Sequence, residues 1–150
     1  MKHRALCTVL VVFGLASLVH FVHNAEFVRD YPSLPATWTR ADVYLGWIGM
    51  TAIGMFGWAL LARGHDITAS LAIAVYAALG LDSLGHYAVA PMAAHTFAMN
   101  ATILSEVTSA ALVLIAAMRL LVNRRPSPRS PATGSPGQAS SPKGEGEYLR

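Results

Sequence analysis

The chain has 150 residues, of which 54% are hydrophobic and only 13% charged, with a mean hydropathy of +0.45. Soluble domains carry about 25% charged residues, so this chain lacks the polar residues to cover a water-facing surface, and a small integral membrane protein is expected. The net charge of +3 gathers at the two ends, which suits a membrane surface, and no basic–aromatic interleaving points to nucleic acid. A single cysteine, Cys7, excludes an intramolecular disulfide and a Cys-rich metal centre.

Residues 1–4 are short and basic, with Lys2 and Arg4. An apolar run follows over residues 5–23, interrupted near its end by His20. A membrane span needs ~20 apolar residues, so this run predicts the first transmembrane helix. The small residues of Gly14-Leu15-Ala16 also offer a signal-peptide cleavage site. Cleavage there would leave an odd number of spans and place the tail outside, against the charge pattern given below.

Residues 24–42 form a polar loop in which Pro32 and Pro35 forbid a continuous helix. Phe27, Tyr31 and Trp38 suit an interfacial aromatic belt. Thr39 followed three residues later by Asp42 reads as a capping box, predicting a helix that starts near Arg40. The second span covers residues 43–62. Gly46, Gly49, Gly54 and Gly57 fall on one broad face, which serves close helix packing, either within the chain or in a homo-oligomer. In the short connection 63–66, Gly64 is expected as a helix stop and Asp66 as the next N-cap, making spans two and three antiparallel neighbours.

The third span, 67–90, is interrupted by Asp82 and His86 and followed by Pro91. A short loop holds His95, expected to be solvated. Thr96 caps the fourth span, 97–122, which carries Glu106. From residue 123 the chain turns rich in Pro, Ser and Gly and cannot bury enough apolar surface to order itself. The expected architecture is all-α: a four-helix transmembrane bundle over residues 1–122 with a disordered cytoplasmic tail over 123–150.

Positive charge marks the cytoplasmic side. Lys2, Arg4, Arg63, Arg119, Arg124, Arg125 and Arg129 share one side if both termini are cytoplasmic. The opposite side then holds Arg29 and Arg40, balanced by Glu26, Asp30 and Asp42. The expected location is the cell membrane, plasma or inner, with the lipid bilayer as the main partner.

Span directions alternate, so depth follows from position. At 1.5 Å rise per residue, His20 and His86 lie about 10 Å outward of their span centres, and Asp82 and Glu106 about 4 Å. His23, Glu26 and His95 should lie at the outer interface. His20, His23 and Asn24 share roughly 100° of span one, and Asp82 and His86, four apart, stack on one face of span three. Thr102, Glu106 and Ser109 make a narrow polar stripe on span four. A carboxylate in hydrocarbon costs several kcal/mol unless paired, protonated or hydrated, so these groups are expected to face the bundle interior.

Imidazoles and carboxylates together suit a divalent metal such as Fe, Zn or Mn. The candidate ligands are His20, His23, Glu26, Asp82, His86 and Glu106. A small-ligand site or a proton-linked transporter would use the same groups, since intramembrane Asp, Glu and His mark proton relays. Haem held by His20 and His86 is a lesser possibility, resting on their similar depth alone. An assembly or accessory protein without chemistry is the remaining reading. There is no nucleophile–base pair and no phosphate loop, which argues against a hydrolase or kinase.

The segment His23-Asn24-Ala25-Glu26-Phe27 resembles the signature of a family of uncharacterised prokaryotic membrane proteins named for the pattern His-x-x-Glu-Glu. Phe27 stands where that pattern has its second glutamate. In that family the motif also ends an early apolar segment, and a later helix carries a further histidine, matched here by His86. The resemblance implies the architecture and a polar site, and no particular reaction.

Overall fold

The computed structural model describes residues 3–32 and 34–123. Those residues contain helices and turns but no strand. The expected tail beyond Asn123 lies outside them. Five α-helices follow in order: α1 (Arg4–Glu26), α2 (Arg40–Ala62), α3 (Asp66–Leu81), α4 (Gly85–Val89) and α5 (Phe97–Val122). A 3₁₀ turn, Asp82–Leu84, joins α3 to α4, and the combined segment Asp66–Val89 is one of four long enough and apolar enough to cross a membrane.

Each terminus has a local cause. The helix α1 runs three residues past the expected end, because nothing between Val22 and Glu26 breaks it, and it closes with the Phe27 N–H on the His23 carbonyl. The predicted capping box is present: the Asp42 N–H donates to the Thr39 hydroxyl, and the Asp42 carboxylate accepts from the Thr39 N–H at 2.8 Å. At the end of α2, Gly64 adopts φ +80°, while the Gly64 and His65 N–H groups bond the Leu61 and Leu60 carbonyls at 3.1 and 3.0 Å. This is a Schellman ending, which only glycine makes without strain. Asp66 is the first helical residue rather than the N-cap; His65 holds that place.

The third span is not the continuous helix expected over 67–90. Asp82, Ser83 and Gly85 are poor residues for a helix interior, because the short polar side chains compete for backbone bonds and glycine is too free. The chain tightens there into the 3₁₀ turn. That change of pitch redirects the side chains around it.

The α5 helix packs against α1 and α3, and α2 packs against α3 and α1, closing a four-sided bundle. Small residues allow the close approach: Ala69, Ala77, Gly80, Ala110 and Ala117 are all buried. Phe13, Ile73, Tyr76 and Val113 fill the middle. A second, smaller cluster of Tyr31, Met99 and Ile103 sits at the end where the 27–39 loop folds over. Within each long apolar window only 22–39% of residues are buried, so most of the hydrocarbon faces outward.

The glycines of α2 divide into two groups. Gly54 and Gly57 lie against Tyr76 and Ile73 of α3, whereas Gly49 has open space around it. Two of the four thus serve packing inside one chain. Gly80 is the tightest position: an added Cβ would stand 2.4 Å from the tip of the buried Phe13 ring. Gly80→Ala is expected to lower stability by about 1–3 kcal/mol through overpacking, while Gly49→Ala stays within about 0.5 kcal/mol. Thermal unfolding of the detergent-purified variants reads the difference.

Candidate functional site

The polar residues of the apolar helices collect at one end of the bundle, under the 27–39 loop. The deepest is Glu106 on α5, fully buried. His20 of α1, 1% exposed, faces it with Nε2 3.6 Å from Oε2. Ser83, from the 3₁₀ turn, donates to the same oxygen at 2.5 Å. Ser17 lies alongside, yet among the described residues neither Ser17 Oγ nor Glu106 Oε1 has a hydrogen-bond partner.

The proton bookkeeping of His20 follows from Thr102. The Thr102 hydroxyl donates its proton to the Met99 carbonyl at 3.0 Å. It must therefore accept from His20 Nδ1, 3.3 Å away. A neutral His20 then turns a bare lone pair toward the Glu106 carboxyl. At 3.6 Å the two groups stand at ion-pair rather than hydrogen-bond distance, and Oε2 takes its hydrogen bond from Ser83.

A second layer lies between this pair and the loop. The His86 ring meets His20 edge-on at 5.5 Å, and His95 at 6.1 Å. Asn24 reaches His86 Nε2 through its amide nitrogen at 3.4 Å, leaving its Oδ1 buried without a partner. Tyr31 enters from the loop; its ring lies 5.0 Å from that of His86, and its hydroxyl 2.9 Å from His23 Nδ1. Burial pushes the Tyr31 phenol up to about 12, so it stays protonated and can donate.

Beside these layers is a cleft of ≈ 390 Å³ between α1, α2 and the break after α3. His20, Asn24, Ser83 and His86 form its polar end, and Asp42 and Asp82 also face it. Phe21, Val43, Leu79 and Val89, with Leu34 and Trp38 of the loop, make apolar walls.

The six expected ligands do not form one set. His20, His86 and Glu106 come together as expected. His23 is one step removed, bonded to Tyr31. Glu26 turns away to the edge, where it pairs with Arg40 at 2.9 Å and accepts from Tyr44 at 3.0 Å. Asp82 is exposed rather than inward, because the tighter 3₁₀ pitch sends Ser83 to Glu106 and swings Asp82 toward the cleft. Among the described residues, no three His, Cys, Asp or Glu side chains are arranged to hold one metal ion. The rings of His20 and His86 meet edge-on with centroids 5.5 Å apart.

Two residues were placed differently by the sequence. Tyr31, expected in an aromatic belt, is 4% exposed, and His95, expected in solvent, is 6% exposed. His95 donates from Nδ1 to the Pro91 carbonyl, and its Nε2 has no partner. Ser83 and Ser17 had no signal beyond being polar residues in apolar runs.

Removing one member of a buried pair leaves the other uncompensated, which costs about 3–5 kcal/mol. His20→Leu is therefore expected to destabilise strongly, and His20→Leu with Glu106→Leu to recover most of the loss. Melting temperatures of both variants and of Glu106→Leu alone complete the cycle; additive losses would mean that the two groups are not coupled.

No family model matches this chain, and no curated protein or solved structure matches it either.

Proposed function

We propose that this chain crosses a membrane four times, with both termini cytoplasmic, and binds a small molecule in the cleft at the outer end of the bundle. The outward hydrocarbon of four long helices supports insertion. The orientation is supported by Arg4, Arg63 and Arg119, which lie near the helix ends away from the 27–39 loop. One observation carries the binding reading. A cleft of ≈ 390 Å³ is lined mostly by apolar residues with a few polar ones, among them His20, Asn24, Asp82 and His86, and ligand sites are typically ~300–1,000 Å³, mostly apolar, with a few polar groups that fix orientation.

Insertion is tested by alkaline carbonate washing of membranes, which should leave the protein in the pellet. For binding, Trp38 lines the cleft and reports on it directly. Bromododecanol, a heavy-atom quencher with an apolar body and one polar end, is expected to quench part of the fluorescence saturably. Trp38→Phe should abolish that saturable part. Quenching that rises without saturation, unaltered in Trp38→Phe, would remove the cleft as a binding site.

A second reading, proton-linked exchange, is favoured by two buried titratable groups, His20 and Glu106, facing each other at 3.6 Å. It predicts pH-driven proton uptake by proteoliposomes that Glu106→Gln abolishes, measured with an entrapped pH dye. Equal uptake by Glu106→Gln and the unaltered protein would reject it.

A further inference from the structure

We infer that the ligand of the cleft is a hydrophobic amine, bound as its ammonium with the charged head against Asp82 and Asn24 and the hydrocarbon along the apolar walls. This rests on the cleft being a small-molecule site and goes further by assigning the chemical class.

The charge of the lining sets the sign. The ionisable groups that face the cleft are His20, His86, Asp42 and Asp82, and no Lys or Arg lines it. His20 is engaged by Glu106 and Thr102. Asp42 is engaged by its capping box, accepting from both the Thr39 N–H and the Thr39 hydroxyl, at 2.8 and 2.7 Å. Asp82 is different. It is exposed to the cleft and makes no hydrogen bond or ion pair among the described residues. A ligand that covers it takes water from a carboxylate and must return a positive charge or strong donors.

Asn24 points to the same chemistry independently. It is 6% exposed, lines the cleft, and holds Oδ1 without a partner while its nitrogen is turned to His86. A buried carbonyl oxygen without a donor costs about 1–3 kcal/mol. Asn24 Oδ1 and the Asp82 carboxylate are acceptors, while His86, whose Nε2 accepts from Asn24, keeps Nδ1–H as a neutral donor. An ammonium carries donors only. A fatty carboxylate or a phosphate would meet the like charge of Asp82, with no Lys or Arg among the described lining residues to receive it.

The walls set the body of the ligand. Leu79, Val89, Val43 and Leu34 favour an alkyl or alicyclic skeleton, and the rings of Phe21 and Trp38 accept a cation or a C–H surface on their faces. One unengaged carboxylate in an apolar cleft suits a single charge. A polyamine would leave further ammonium groups against hydrocarbon.

The test uses the full chain in a nonionic detergent, with Trp38 fluorescence as the readout and three brominated probes of equal length: bromododecylamine, bromododecanol and bromododecanoate. The amine is expected to bind about tenfold or more tighter than the alcohol, as a charge-assisted contact with a partly desolvated carboxylate would give, and the carboxylate weakest. Asp82→Asn should bring the amine down to the affinity of the alcohol, and Asp82→Glu should keep the preference. If the alcohol saturates the cleft but the amine binds no tighter, or if Asp82→Asn leaves the preference intact, the amine assignment falls and the cleft stands. If none of the three probes binds saturably, both fall.

Discussion

A carboxyl group with no exposed surface, Glu106, constrains everything at its end of the bundle. An isolated carboxylate in an apolar interior costs far more than a small domain's stability margin. The structure meets this with side chains from two segments: His20 from α1, with Ser17 alongside one helical turn before it, and Ser83 from the break after α3. The helices cannot rotate or slide independently without undoing that arrangement. Polar contacts between helices in lipid are worth only ~0.6–2 kcal/mol each. Their value here lies in fixing which faces meet.

Close packing supplies the rest of the attraction. Below Glu106, Gly80 and Ala110 let the Phe13 ring sit directly between α3 and α5, and Ile73, Tyr76 and Val113 continue the seal. The buried histidines and Glu106 lie on the side of the 27–39 loop, and the rest of the bundle is mostly apolar, with Thr51, Ser70 and Tyr76 among its polar side chains. This asymmetry matters for the two functional readings. A binding site needs one entrance. A proton path across the whole membrane would need polar groups on the far side of that seal, where Ser70 bonds its own helix at the Asp66 carbonyl.

The four long helices were legible in the sequence because apolar runs of about 20 residues leave few alternatives. The capping box and the glycine stop were legible because each satisfies named backbone groups. Of the site, His20, His86 and Glu106 were found by the cost of placing such groups in apolar runs. Asp82 and Ser83 were exchanged in role, because helical periodicity was carried through a stretch whose residues favour a tighter turn; at 120° per residue in place of 100°, its three residues accumulate about 60° of rotation. Tyr31 and His95 were missed for another reason. They sit in loops, where no period predicts direction, and their burial depends on how the loops fold over the bundle.

The break after α3 links these observations. Residues 82–84 form a 3₁₀ turn rather than a continuation of α3. In the 3₁₀ turn Ser83 bonds the buried acid, and Asp82 lines the cleft with no hydrogen bond or ion pair among the described residues, its charge acting on His86. Lost helical regularity in a span has to be compensated, since a lipid-exposed backbone has no water to satisfy it. The break therefore joins structure to chemistry: one residue holds the core acid in place, and its neighbour presents a charge to whatever enters. Both roles come from adjacent residues of one short turn, which is why a change in that turn would disturb the core acid and the lining of the cleft together.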